Sequence, residues 1–316
     1  MHSTNETVLR ELAQRLQQGE HCWLISITST WGSSPRPAGS LLLWSEHSGA
    51  VGSLSGGCVE DNLLEALAQG QFSRHVQQQR YGISAEEASR LRLPCGGAME
   101  LLLEPIAATP EHQQQAQHIV ALLDDHQGFT RSTDLTSGHV DITPTKPHKP
   151  ELSHTQFNNY LGPRFRLLLV GANQVAEYLA EFTHPLDFDI FVCDPRPNAF
   201  DHWPHPFTHN LQDMPDDVVR AWASDPVCAI VTLSHDPRVD DMALMEALTT
   251  NAFYIGAMGS KRTTEARIQR LQQLDLNNEQ IAKLHAPVGL DIGSKTPAEI
   301  ALSIAAHLLQ QRGKSH

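Results

Sequence analysis

Apolar and polar positions along the chain follow two different regimes. In the first half, short alternating runs are broken by glycine, proline and serine. In the second, continuous apolar runs alternate with stretches of helical spacing. "MHSTNETVLRELAQRLQQGE" puts Val8, Leu9, Leu12 and Leu16 on one side of an amphipathic helix. "HCWLISITSTWGSSPRPAGSLLLWSEHSGAVGSLSGGC" reads as β-type runs separated by turn residues. "VEDNLLEALAQG" returns to helical spacing through Leu63, Leu64 and Leu67, and Gly70 stands where a helix-ending glycine belongs. "AMELLLEPI" and "HVDIT" are further strands, with "EHQQQAQHIVALLDDH" a helix between them. Residues 1–145 are therefore expected to form a small α+β domain.

From 146 to 163, prolines, histidines and amides follow no sustained period, the composition of an exposed linker. Residues 164–316 have a simpler logic. "RFRLLLVGANQVAEYLAEFTHPLDFDIFVCDPRP" is an apolar strand, a glycine turn, a helix with Val175, Tyr178 and Leu179 inward, a second strand and an acid. Strand "CAIVTL", helix "DDMALMEAL" and strand "FYIGAMG" repeat the theme. Continuous apolar strands alternating with helices imply a parallel sheet covered on both faces. The expected fold class is α/β, with the small α+β domain followed by a Rossmann-like, doubly wound parallel-sheet domain.

Composition narrows the function classes. A length of 316 residues fits two domains, and no apolar run approaches the roughly 20 residues of a membrane span. The N-terminus has neither the basic flank nor the apolar stretch of a secretory signal, so a cytoplasmic protein is expected. A net charge of −13 argues against wrapping nucleic acid or lying on an anionic membrane, and favours a small-molecule or protein partner. The five cysteines, Cys22, Cys58, Cys95, Cys193 and Cys228, form no C-x-x-C pair and read as free thiols. The histidines form no H-E-x-x-H pattern and read mostly as surface groups.

In the second half the candidate chemistry sits at strand ends. A dinucleotide turn carries G-x-G-x-x-G or A directly after a strand. Here the string is G-A-N-Q-V-A: Gly171, followed by Ala172, takes the first glycine position and Ala176 the third, but Asn173 takes the second, where a side chain crowds the phosphates. Asparagine tolerates positive φ, so the turn itself survives. Asp194, at the end of the next strand and followed closely by Arg196, stands where an acid binds a ribose hydroxyl. Three further loops belong at the same sheet edge. "SHDPRVDD" brings His235 and Asp236; "IGAMGSKR" brings Gly259, Ser260, Lys261 and Arg262, suited to a phosphate or carboxylate; "VGLDIGSKTPAEIALSI" brings Asp291. The last ends in a capping box from Thr296 to Glu299. The competing reading is an ordinary first βα turn and a well-capped terminal helix.

In the first half, "GSLSGGCVED" sets Cys58 behind Ser55, Gly56 and Gly57 at a helix start, with Glu60 just inside. Exposed N–H groups and the helix dipole stabilise a thiolate there. "LPCGGAMELLLEP" places Cys95 before Gly96 and Gly97, next to a strand. Two such turns in one domain suggest a shared site. A buried structural cysteine is the alternative for each.

Taken in order, "GSLSGGCVED", "CGGAMELLLEP", "GANQVA", "CDPRP", "SHDPRVDD", "YIGAMGSKR" and "VGLDIGSKTPAEIALSIAAHLL" resemble the XdhC/CoxI family of accessory proteins for molybdenum hydroxylases. The resemblance implies a chaperone rather than a stand-alone enzyme. It would bind the molybdenum cofactor (molybdopterin, plain or in dinucleotide form), assist its sulfuration, and insert it into an apo-hydroxylase such as xanthine dehydrogenase. A cysteine desulfurase would be the sulfur donor and a homodimer the assembly. Cys58 would then be a molybdenum ligand or a sulfur relay, with Cys95 as the second candidate. Gly171, Asp194 and the Ser260 to Arg262 loop would hold the cofactor's phosphate or nucleotide part. The family's usual turn is G-A-G-H-V-A, and Asn173 and Gln174 depart from it, which weighs against NAD. An NAD(P)-dependent oxidoreductase and a docking adaptor with a vestigial pocket are the competing classes.

Overall fold

A computed structural model describes residues 5–32, 36–82, 98–223, 225–274 and 276–313. The chain divides into two units, 1–163 and 164–316.

The first unit opens with helix α1 (Asn5–Gln17), whose Val8, Leu9, Leu12 and Leu16 are buried as the spacing predicts. Then come β1 (Cys22–Trp31), β2 (Leu41–Ser45), β3 (Gly49–Gly52), α2 (Cys58–Ala68), β4 (Gln77–Tyr81), β5 (Ala98–Ile106) and α3 (Pro110–Asp124). The five strands form one antiparallel sheet in the order β3-β2-β1-β5-β4. Because side chains alternate along a strand, its two faces carry separate cores. Ile25, Ile27, Leu101 and Leu103 pack with Val59, Leu63 and Leu67 of α2. Leu24, Leu41 and Leu43 pack with α1 and α3. Gly70, at φ +65°, follows the end of α2 as expected.

A second antiparallel sheet, β7-β6-β9-β8, is built from β6 (Phe129–Asp134), β7 (Val140–Pro144), β8 (Glu151–Leu152) and β9 (Gln156–Leu161). Much of the expected linker therefore belongs to a sheet. In "QFNNYL", Phe157, Asn159 and Leu161 alternate inward, and the amides hide that period. The buried Asn159 is tied down through its amide nitrogen, Nδ2 donating to the Gly39 carbonyl at 3.1 Å. The buried Arg131 on β6 donates to both Glu104 oxygens on β5, at 2.8 and 2.9 Å, so one ion pair joins the two sheets.

The second unit runs β10 (Phe165–Val170), α4 (Gln174–Thr183), β11 (Phe188–Cys193), β12 (His209–Leu211), α5 (Pro215–Trp222), β13 (Cys228–Thr232) and α6 (Pro237–Ala247). It continues with β14 (Tyr254–Ala257), α7 (Lys261–Gln272), α8 (Asn278–Ile281), β15 (Leu284–His285) and α9 (Pro297–Arg312). Its six strands are parallel in the order β12-β11-β10-β13-β14-β15. Counted within the unit this is 3-2-1-4-5-6, the Rossmann order. Leu167 and Leu169 face α4 and α9, whereas Leu168 and Val170 face α5, α6 and α7. Both faces are covered, which is why the central strands β10, β11 and β13 are apolar along most of their length, with Arg166, Asp189 and Thr232 the exceptions. Among the described residues no helix is long and apolar enough to cross a membrane.

Candidate functional site

In the parallel sheet, α4 and α6 leave neighbouring strands β10 and β13 toward opposite faces, and a crevice opens at the carboxyl ends of those strands. A cleft of about 520 Å³ lies there, lined by Gly171 to Asn173, Asp194 to Arg196 and Ser234 to Val239. It brings together Gly171, Ala172, Asn173, Asp194, Arg196, His235 and Asp236. Gly259, Ser260, Lys261, Arg262 and Asp291 are not among its lining residues. Ser260 caps α7 by accepting from the Thr263 N–H, with Lys261 and Arg262 exposed beside it. Asp291 is exposed on the loop before α9, whose expected capping box at Thr296 and Glu299 is present.

The turn after β10 is held by the chain itself. Gly171 sits at φ +107°, and a Cβ there would lie 2.9 Å from the Ser234 nitrogen and 3.0 Å from its Cα. The glycine thus answers a close approach of backbone to backbone as well as a left-handed conformation. Asn173 is not at positive φ, contrary to the expectation: at φ −144° and ψ 177° it is the extended N-cap of α4. Its Oδ1 accepts from Val175 and Ala176 N–H at 3.0 and 3.2 Å, and its Nδ2 donates to the Leu233 carbonyl at 2.7 Å.

Asp194, only 3% exposed, accepts from the Ala172 N–H at 2.8 Å through Oδ2 and from the Arg196 N–H at 3.0 Å through Oδ1. Arg196 closes a fork on the same carboxylate, with Nε at 2.9 Å and Nη2 at 2.7 Å, and Nη2 also donates to the Ala172 carbonyl. Burial opposes ionisation of Asp194, but Arg196 and the two amides outweigh it and hold the carboxyl below the usual range. Both oxygens that would meet a ribose are engaged within the chain. Asp236 caps α6 and pairs with Arg238, which brings its carboxyl down to about 2.

Two residues behind the cleft escape the sequence reading. Asp240 is fully buried; its Oδ1 accepts from the Ser234 N–H at 3.1 Å and its Oδ2 from Arg267 Nη2 at 2.7 Å. Arg267 in turn donates to the Met258 carbonyl, tying the loop after β13 to the end of β14. Burial pushes the Asp240 carboxyl up, to about 7, against the pull of Arg267. The only signal in the sequence is that charged residues recur on helices whose inner faces should be apolar.

In the first unit the loop before α2 is organised by one carboxylate. Glu60 Oε2 accepts from the Ser53 hydroxyl at 2.9 Å and from three successive N–H groups, of Leu54 at 2.8 Å, Ser55 at 3.2 Å and Gly56 at 3.2 Å. Burial works against its charge, but these four donors prevail and depress its pKa. Gly56 sits at φ +64°, a conformation suited to glycine. Gly57 is the N-cap of α2 and supplies no side-chain cap, so Cys58 opens an uncapped helix. A Cβ at Gly57 would meet nothing within 4 Å. Cys95, Gly96 and Gly97 lie outside the described residues.

The other thiols are interior. Burial raises Cys22 to about 11, Cys193 to about 12 and Cys228 further still. Buried thiols of that kind are inert. Among the described residues no group of three or more His, Cys, Asp and Glu side chains is arranged to hold a metal ion.

Comparison with known proteins matches each unit. The model of the XdhC and CoxI family matches residues 15–82, and the model of the XdhC Rossmann domain matches residues 167–308. A molybdenum cofactor insertion chaperone of Escherichia coli, PaoD, is 24% identical over 98% of this chain and 89% of its own length. A protein of Bacillus subtilis named as a probable xanthine dehydrogenase subunit is 25% identical over 94% of this chain and 95% of its own. A solved structure described as a xanthine dehydrogenase from Bacillus halodurans superposes with a TM-score of 0.74 at 25% identity, covering 97% of this chain and 96% of that one.

Proposed function

The chain belongs to the XdhC and CoxI family, and from that premise we propose that it is a chaperone that binds the molybdenum cofactor, assists its sulfuration and inserts it into an apo-hydroxylase of the xanthine dehydrogenase type. The Escherichia coli relative named as an insertion chaperone supports the reading, since the likeness runs along nearly all of this chain.

The observation that carries it is the start of α2. Cys58 opens the helix behind a glycine N-cap that offers no side chain. The helix dipole and the first-turn N–H groups favour a thiolate at such a position, and a thiolate suits a soft metal or a transferable sulfur. A bulky cargo fits the loop as well, since the Gly57 position faces open space and Glu60 keeps the preceding turn in one shape. The cofactor is cargo here, and the redox chemistry it supports belongs to the recipient enzyme. Ser55, Gly56, Gly57 and Cys58 are the residues to hold it, with Cys95 as a second thiol and a cysteine desulfurase as the sulfur donor. In the second unit, Arg196 at the cleft and the Ser260 to Arg262 loop are the groups proposed for its phosphate.

The test is the molybdenum and pterin content of the protein purified anaerobically from a cofactor-producing host. Wild type is expected to carry cofactor and Cys58→Ala to lose most of it while keeping its helical signal. Equal content in both proteins removes Cys58 from the reading. An NAD(P)-dependent oxidoreductase is the second reading, favoured by the strand order of the second unit and opposed by Asn173.

A further inference from the structure

The cleft at the ends of β10 and β13 occupies the place that a dinucleotide takes in this fold, and the role given to Asn173 rests on reading it as a nucleotide cleft. In a dinucleotide turn the second glycine lets the pyrophosphate lie against the backbone, with the helix N–H groups as donors. Asn173 holds that position here, and its side chain is engaged at both ends. Oδ1 takes the N–H groups of Val175 and Ala176, first-turn donors that a phosphate would use. Nδ2 reaches across to the carbonyl of Leu233, the residue directly after β13. One side chain thus spans the crevice between the two strands whose helices diverge, and it lies in the cleft wall.

We infer that Asn173 is the specificity-determining residue of this cleft and excludes dinucleotides. It occupies the donors that a pyrophosphate requires and ties shut the approach that a glycine at this position leaves open. Asp194 acts in the same direction, because Ala172 and Arg196 occupy both of its oxygens and leave a ribose diol without a ready acceptor. What the cleft admits is a ligand whose anionic group stays outside the α4 terminus.

The experiment titrates full-length wild type and Asn173→Gly with NADH, followed by nicotinamide fluorescence and calorimetry. Glycine is an acceptable N-cap, and cooperative thermal unfolding checks that the variant is folded. The expected result is at least tenfold tighter NADH binding by Asn173→Gly than by wild type. If that variant does not unfold cooperatively, Asn173→Ala, which also empties the position, carries the comparison. Equal NADH affinity in wild type and variant overturns the role of Asn173 while leaving the cleft a nucleotide site. No NADH binding by either overturns the nucleotide reading, and the inference with it; cofactor capture at Cys58 is measured separately and is untouched by that outcome.

Discussion

At Gly171 two demands meet, a left-handed backbone and a neighbouring chain segment within van der Waals distance. A β-carbon would press on Ser234 backbone at 2.9 and 3.0 Å, and backbone cannot step aside as a flexible side chain can. Gly171→Ala is therefore expected to destabilise the second unit by about 1–3 kcal/mol, read as a lowered urea midpoint with an unchanged slope. Gly57 makes the contrast: its φ is −154° and the space around it is open, so alanine there should cost far less. The sequence shows both glycines equally well. It does not show which one is required by packing, because Ser234 lies 63 positions away from Gly171.

Among elements, the β10 to α4 turn and the segment after β11 are joined through Asp194. Its carboxyl is depressed in the folded chain, so its contribution to stability is present above the ordinary carboxylate pKa and is lost as pH falls through the folded value. Asp194→Asn should lower the melting temperature at pH 7, consistent with losing charge-assisted hydrogen bonds of about 1–3 kcal/mol. The gap between variant and wild type should close as pH drops below about 4. A gap that stays open well below that pH would show that the ionised carboxylate adds nothing to folding. Legibility also follows element type. Strands β10, β11 and β13 are readable because both their faces are buried. Strand β4, "QQQRY", pairs on one side with β5 and buries only Tyr81 fully, so its pattern carries little signal. Strand β9 is hidden by Asn158 and Asn159 inside what reads as a linker. Caps are easier, since Thr296, Pro297 and Glu299 signal within four residues what Asp240 and Arg267 can show only once α6 and α7 are side by side.

For the whole molecule, each unit holds its own cores, with α1, α2 and α3 on the first sheet and α4 to α7 with α9 on the parallel one. Residues 164–316 expressed alone are expected to keep their helical circular dichroism and to unfold cooperatively; a featureless melt would show that they need residues 1–163. The candidate thiol and the crevice are both visible as sequence motifs, but their internal partners are not. Glu60 reads in the sequence as a residue facing a ligand, and instead its carboxylate is turned onto the loop before it. That has a consequence for recognition. The N–H groups of Leu54, Ser55 and Gly56 point inward to Glu60, and that of Gly57 goes to the Ser55 hydroxyl. If this loop receives the cofactor as proposed, those four N–H groups are already committed within the chain, and recognition there would rest on the shape of the turn rather than on backbone donors.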